Sequence, residues 1–255
     1  MTQVEAQSCG LQELIWTPAM IARFWDFEDT RPQNSFSFSL GAAVVRHVRH
    51  YLQRTFRIVD YGAGPGFLVE DLLAGGYQCA AVEFTPEAVR RLTEKISANP
   101  NFFGVFHVGE TATLEGRIDV VFLVEVVEHL YDPAFSACLA SIRSLLSRGG
   151  LLIITTPNDE DRSEDFIMSP ESGKIFHRWQ HVRSWTATSL EEKVCAHGFE
   201  CVEKGATDFS VSLYTKRRTL SAPVRLVRSV VKWLLQCAQP SLKPPHLYVV
   251  ARKNS

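Results

Sequence analysis

The chain has 255 residues, 45% of them hydrophobic, and a formal net charge of −1. It is long enough for one large domain or one domain with additions, and it carries no global field that would recruit nucleic acid. Its six cysteines include no C-x-x-C pair and read as reduced thiols of a cytoplasmic protein; residues 1–10 lack a basic-then-apolar leader pattern, and no run approaches the roughly 18 apolar residues that span a bilayer.

Residues 1–35 read as an N-terminal cap. Trp16, Met20, Phe24, Trp25 and Phe27 crowd one stretch, which either packs as a lid helix over a ligand or docks as an ordinary terminal helix. The main domain is placed at 36–255. An amphipathic helix over 40–52 leads into a strand from Phe56 that ends in Ile58-Val59-Asp60. Three glycines follow at every second position, Gly62, Gly64 and Gly66, then a helix over 67–74 and a second apolar strand ending at Glu83.

Thr85-Pro86-Glu87 is a helix start, with an N-cap hydroxyl, a proline at the first position and an acid in the first turn; that helix runs to about residue 98. Strands are predicted at 102–108 and 118–124. The latter is almost continuously apolar, as in a parallel strand buried on both faces. A helix from Asp132 ends before Gly149-Gly150, and a strand follows at 151–155. The 159–184 connection is long for a compact domain and is therefore a candidate functional loop. A helix over 186–197, a strand over 199–209 and a strand over 246–252 complete the chain. A helical insertion occupies about 215–243. Strands alternating with helices make an α/β fold with a doubly wound, seven-stranded, mostly parallel sheet. Such sheets bind ligands beyond the carboxyl ends of their strands, where Asp60, Glu83, Gly109-Glu110 and Glu125 fall.

The glycine spacing selects the ligand. A dinucleotide loop wants G-x-G-x-x-G; here position 67 is Phe and the third glycine comes early. Asp60 at the loop entrance repels a pyrophosphate and suits an ammonium, while Glu83 sits where a ribose diol is held. The D-x-G-x-G-x-G run resembles motif I of the class I S-adenosylmethionine (SAM)-dependent methyltransferases. By that resemblance the last strand is antiparallel, Asp60, Gly62, Gly64 and Gly66 hold the methionine part, Glu83 holds the ribose hydroxyls, and the turn at Glu110 cradles adenine. Ala63, Phe67, Phe84 and Glu125 are counted with the cofactor residues.

The chain is more specifically similar to the group containing the ubiquinone-biosynthesis O-methyltransferases, which carry E-x-x-E-H after strand four; here the run is Glu125-Val126-Val127-Glu128-His129. These positions are expected on one helical turn. His177 and His181 come from the long loop at i, i+4 spacing. Two site readings stay open. In one, Glu125, Glu128, His129 and His177 hold a divalent metal such as Mg²⁺. In the other, no metal binds and His129 or His181, with Glu128 shaping the pocket, takes a hydroxyl proton. The resemblance implies methyl transfer to a hydroxyl of a small molecule, a phenol, sugar or lipid-linked metabolite. The alternatives are N- or C-methylation of a small metabolite and, from other classes, a nucleotide-dependent oxidoreductase or a non-catalytic SAM-binding subunit. Asn158 is expected to face the site, and Trp179 and Trp185 either wall it or anchor the loop. Residues 223–236 place Arg225, Arg228 and Lys232 alongside an apolar face with Trp233. This pattern fits peripheral membrane contact, a partner helix or a cover for the sheet edge.

Overall fold

The computed structural model describes residues 11–96, 98–211 and 243–254. The helical insertion and the basic 223–236 segment therefore lie outside the described residues. In chain order the elements are α1 (Pro18–Glu28), α2 (Phe36–His47), β1 (Arg57–Tyr61), α3 (Phe67–Ala74), β2 (Gln78–Glu83), α4 (Pro86–Ile96), β3 (Phe102–His107), β4 (Ile118–Val124), α5 (Asp132–Leu145), β5 (Leu146–Pro157), β6 (Phe166–Met168), β7 (Ile175–His177), α6 (Ala187–Ala196), β8 (Phe199–Thr207) and β9 (His246–Lys253).

Seven strands form one sheet in the order β3-β2-β1-β4-β5-β9-β8. Neighbours from β3 to β5 pair parallel, whereas β9 runs antiparallel to both β5 and β8. The sheet is apolar on both faces because successive side chains of a strand point to opposite sides. Ile58, Val120, Phe122 and Ile153 enter one core with Val44, Leu68 and Leu92 from α2, α3 and α4. Val59, Val121, Leu123 and Ile154 enter the other with Leu139, Ile142 and Leu190 from α5 and α6. That doubled burial explains why β4 reads as a continuous apolar run rather than an alternating one.

Local chemistry sets the ends of the helices. Thr85 Oγ1 accepts from the Ala88 amide at 3.0 Å at the start of α4. Thr186 and Ser189 form a reciprocal capping box on α6. Strand β5 begins earlier than the expected Leu151: Leu146 already pairs with Ile118, and the register then slips before Val120 meets Leu151. The slip absorbs Gly149-Gly150.

The 159–184 connection is not structureless. It holds the two-stranded hairpin β6–β7, whose edge takes up the N-terminal segment through Leu14 N–H to Ile175 O (2.8 Å) and Ile175 N–H to Gln12 O (2.9 Å). Asn158 does not face the site as expected. Its side chain donates to Pro244 O at 2.8 Å, which ties β5 to the approach of β9.

Candidate active site

One lobe of the site is built on the tips of β1 and β2. Gly62 turns the chain out of β1 with φ +79, and a side chain there would come within 2.9 Å of Val126 Cγ2. Asp60 and Glu83 end their strands almost fully buried, at 2% and 4% exposure. The Glu83 carboxylate accepts from the Gly64 amide and from the Phe84 amide at 3.2 Å. Burial pushes Glu83 up to about 7, against the pull of the Gly64 hydrogen bond, with the Asp29 charge adding to the rise. Asp60 is raised well above the ordinary carboxylate range by burial and then by the Glu83 charge. Two buried acids with raised proton affinity beside an open glycine loop form a receptor for a cation and for hydroxyl donors.

The other cofactor positions divide. Ala63 is buried in the loop, and Phe84, 39% exposed, lies beyond Glu83. Glu110 is exposed, on a turn closed by its amide to His107 O at 2.8 Å. Phe67 is buried against the Phe38 ring at 5.0 Å, with Lys95 over it at 4.3 Å. It packs the start of α3 onto α2.

The second lobe follows β4. Glu125 takes a left-handed conformation, φ +51, so it does not share a helical turn with Glu128 and His129, as the sequence spacing predicted. The short 3-10 turn Val127–His129 begins two residues later. Glu125 instead accepts from Thr155 Oγ1 at 2.8 Å, and burial pushes it up to about 8. Glu128 is 1% exposed. Its Oε2 accepts from Thr156 Oγ1 at 2.9 Å, and burial, then the Glu125 charge, raises it well above its ordinary value. Burial drives the His129 imidazole far down, with the neighbouring His181 adding to the effect.

The long loop brings three more groups to this lobe. His181 Nδ1 lies 2.6 Å from Glu160 Oε2. His177 stacks on His181 with ring centres 4.2 Å apart and reaches Glu160 Oε1 at 3.6 Å. Two sets of potential ligand atoms lie within 4.8 Å of one another: Glu128, His129 and His181, and Glu160, His177 and His181. The expected set of Glu125, Glu128, His129 and His177 does not converge. Glu125 is held by Thr155 and stands outside both sets, and His181 occupies the place given to His177. Glu160 had no signal in the sequence, since its role comes only from the loop folding back on itself.

A wall closes the lobe from the N-terminal side. Trp25 sits edge-on to His129 at 4.7 Å, and its indole N–H donates to Gln180 Oε1 at 2.9 Å. Gln180 is fully buried, with φ +61, and donates from Nε2 to His129 O at 3.1 Å. Trp185, by contrast, is a core anchor, 4% exposed against Phe135 at 5.4 Å. The same helix α1 reaches the first lobe. Asp26 and Asp29 both take Arg91 of α4, at 3.2 and 2.9 Å, and Thr85 Oγ1 donates to Asp26 at 3.1 Å.

Two buried strand-tip acids thus lie beside a buried pocket of carboxylates and imidazoles, with Gly62 and Val126 packed between them. Among the described residues no helix is long and apolar enough to cross a membrane. Comparison with known proteins agrees with this architecture. The methyltransferase domain family model matches residues 21–204. A ubiquinone biosynthesis O-methyltransferase of Xanthomonas euvesicatoria is 30% identical over 161 residues, 62% of this chain and 65% of the relative. One from Cereibacter sphaeroides is 32% identical over 127 residues, 48% of this chain and 49% of the relative. The matched segments thus span half to two thirds of those relatives. Among solved structures, the 1,6-didemethyltoxoflavin-N1-methyltransferase of Burkholderia thailandensis, with bound 1,6-didemethyltoxoflavin and S-adenosylhomocysteine, superposes with a TM-score of 0.58 at 18% identity, covering 96% of this chain and 94% of that one. With the fold and a family match over most of its length in agreement, the chain belongs to the methyltransferase domain family.

Proposed function

We propose that this enzyme methylates a hydroxyl of a small molecule, an aromatic alcohol or a vicinal diol. The observation that carries this reading is the buried lobe of Glu128, His129 and His181. Two imidazoles and an acid set beside the methyl donor form a proton-accepting pocket, which a hydroxyl requires and an already nucleophilic amine does not. The ubiquinone-biosynthesis O-methyltransferases among the matched relatives support the same direction.

In this reading Asp60 holds the ammonium of SAM through a charge-assisted hydrogen bond, and Glu83 takes the ribose hydroxyls. The acceptor lies against Trp25, beside His129 and His181. Its oxygen attacks the sulfonium methyl in line, the carbon–sulfur bond breaks with its electron pair going to sulfur, and the hydroxyl proton passes to His181. The protein's main contribution is to hold acceptor and donor in line and to exclude water.

The triad also fits a divalent ion. Glu128 Oε1 and His129 Nδ1 are buried and have no hydrogen-bond partner among the described residues. Two imidazoles with one carboxylate suit a first-row transition ion better than Mg²⁺, which prefers oxygen. Glu128, His129 and His181 would hold it, and when bound it would supply Lewis-acid polarisation of the acceptor oxygen.

The test is calorimetric titration with S-adenosylhomocysteine, followed by turnover with a panel of catechols and amines. Micromolar binding and methylation of catechol oxygen is the expected result. Turnover confined to amines would overturn the hydroxyl assignment.

A further inference from the structure

Glu160 belongs to no motif, yet it faces two histidines. Its Oε2 lies 2.6 Å from His181 Nδ1, a distance that requires a proton between them. Its Oε1 lies 3.6 Å from His177 Nε2. His177 is 1% exposed and His181 8%, so water does not easily replace either contact.

The tautomer of His177 follows from its other nitrogen. His177 Nδ1 accepts from two backbone amides, Trp179 N–H and His181 N–H, both at 3.3 Å. A nitrogen that receives two N–H donors carries a lone pair and no hydrogen. The hydrogen of neutral His177 is therefore on Nε2, facing Glu160. This also argues against a metal bound by Glu160, His177 and His181, since His177 Nε2 is not free to be a ligand while Nδ1 accepts. His181 thus shares a hydrogen with Glu160 at 2.6 Å, whereas His177 Nε2, 3.6 Å from the same carboxylate, lies beyond hydrogen-bonding range and has no partner among the described residues.

We propose that Glu160 is the positioning residue of the acceptor lobe. It holds His181 as the Nδ1–H tautomer and so keeps Nε2 bare, in a ring whose centre is 5.0 Å from that of His129. This rests on the hydroxyl-methylation reading for its consequence, since the bare Nε2 is the atom that receives the acceptor's proton, but its structural content stands apart from that reading. The arrangement has the logic of a base oriented by a third group. The loop that carries Glu160 is itself fixed. Arg162 donates from Nε to His181 O at 3.1 Å and pairs with Glu13 of the N-terminal segment.

Glu160→Leu tests this. It removes the only acceptor facing His181 Nδ1 among the described residues, so nothing holds the hydrogen of His181 on Nδ1. Glu160→Gln keeps one oxygen, which can still accept from Nδ1–H. The measurement is long-range ¹H–¹⁵N NMR of the full chain with S-adenosylhomocysteine bound, with His177 and His181 assigned by single substitutions. In the wild-type protein His181 Nε2 should show the shift of a bare ring nitrogen. In Glu160→Leu that signature should be lost from Nε2, and Glu160→Gln should retain the wild-type pattern. With 3,4-dihydroxybenzoate as acceptor, kcat of Glu160→Leu should fall about 10- to 100-fold at unchanged KM for SAM. A bare Nδ1 on wild-type His181, or an unaltered tautomer in Glu160→Leu, overturns the proposal, even if kcat falls. Failure of the wild-type protein to methylate any hydroxyl would instead sink the function reading and leave the tautomer result standing.

Discussion

Gly66 meets two demands at once. It caps α3 in the left-handed region, φ +82, and a Cβ there would stand 2.4 Å from Leu92 Cδ2 and 2.9 Å from Ile96 Cδ1. Leu92 is 2% exposed and Ile96 6%, so neither has space to swing away. Gly64 shares the positive φ, at +51, but a Cβ would find only Asp29 Oδ1 at 3.7 Å. The two positions therefore separate strain from overpacking. Gly64→Ala should cost about 1–2 kcal/mol from the backbone alone. Gly66→Ala should add about 1–3 kcal/mol for the forced repacking of α4, a total fall in Tm of roughly 5–15 °C for a chain of this size. Thermal unfolding of the two variants side by side checks this; equal losses would show that α4 simply moves aside.

Helix α1 joins the two lobes. It places Trp25 against His129 and Gln180 at one lobe, and Asp26 and Asp29 on Arg91 at the glycine loop. None of its residues is fully buried, so polar latches rather than a core hold it down. Arg91→Ala should loosen it, weakening S-adenosylhomocysteine binding about two- to fivefold, the scale of partly exposed ion pairs, and exposing the 11–35 segment to limited proteolysis. Unaltered cleavage and affinity would mean that α1 is anchored by its aromatic contacts alone. The aromatic crowding at 16–27 announced an unusual segment, but the latch to Arg91 joins residues about sixty apart in sequence and has no local signature. The same division runs through the rest of the chain. Strand β4 was legible because burial on both faces writes a continuous apolar run, helices α3 and α4 because burial on a fixed face writes a period into the sequence, and Thr85-Pro86 marks its helix start by backbone chemistry. The helical reading of 125–129 failed because i, i+3, i+4 spacing says nothing of φ, and Glu125 leaves the strand left-handed. The hairpin β6–β7 was hidden because three-residue strands carry no period and its edge is completed by residues 12–14. His181 was found by its residue type, but Glu160 becomes visible only when the loop closes on it.

Both lobes lie beyond the carboxyl ends of the strands, and their buried acids give the whole molecule a definite response to pH. A carboxyl whose pKa is higher in the fold than in the unfolded chain keeps its proton longer when folded, so stability falls as pH rises through that interval. Glu83, at about 7, and Glu125, at about 8, lie well above their unfolded value of 4.5, and Asp60 and Glu128 are raised in the same direction. The imidazoles act oppositely. Burial lowers His129, and it lowers His177 to about 4, which makes stability rise with pH below the unfolded value of 6.5 and contribute no slope above it. The carboxyls therefore act unopposed between pH 6.5 and 8, and the Tm of the ligand-free protein should fall across that window. In the proposed function the ammonium and ribose diol of S-adenosylhomocysteine favour the charged forms of Asp60 and Glu83, so a saturating concentration should flatten the fall. Glu83→Gln should flatten it without ligand. Thermal unfolding at constant ionic strength, with and without S-adenosylhomocysteine, reads both effects. A ligand-free Tm that is level or rising from pH 6.5 to 8 would show that these acids are already charged in the fold, and the first lobe would then be no receptor waiting for a cation.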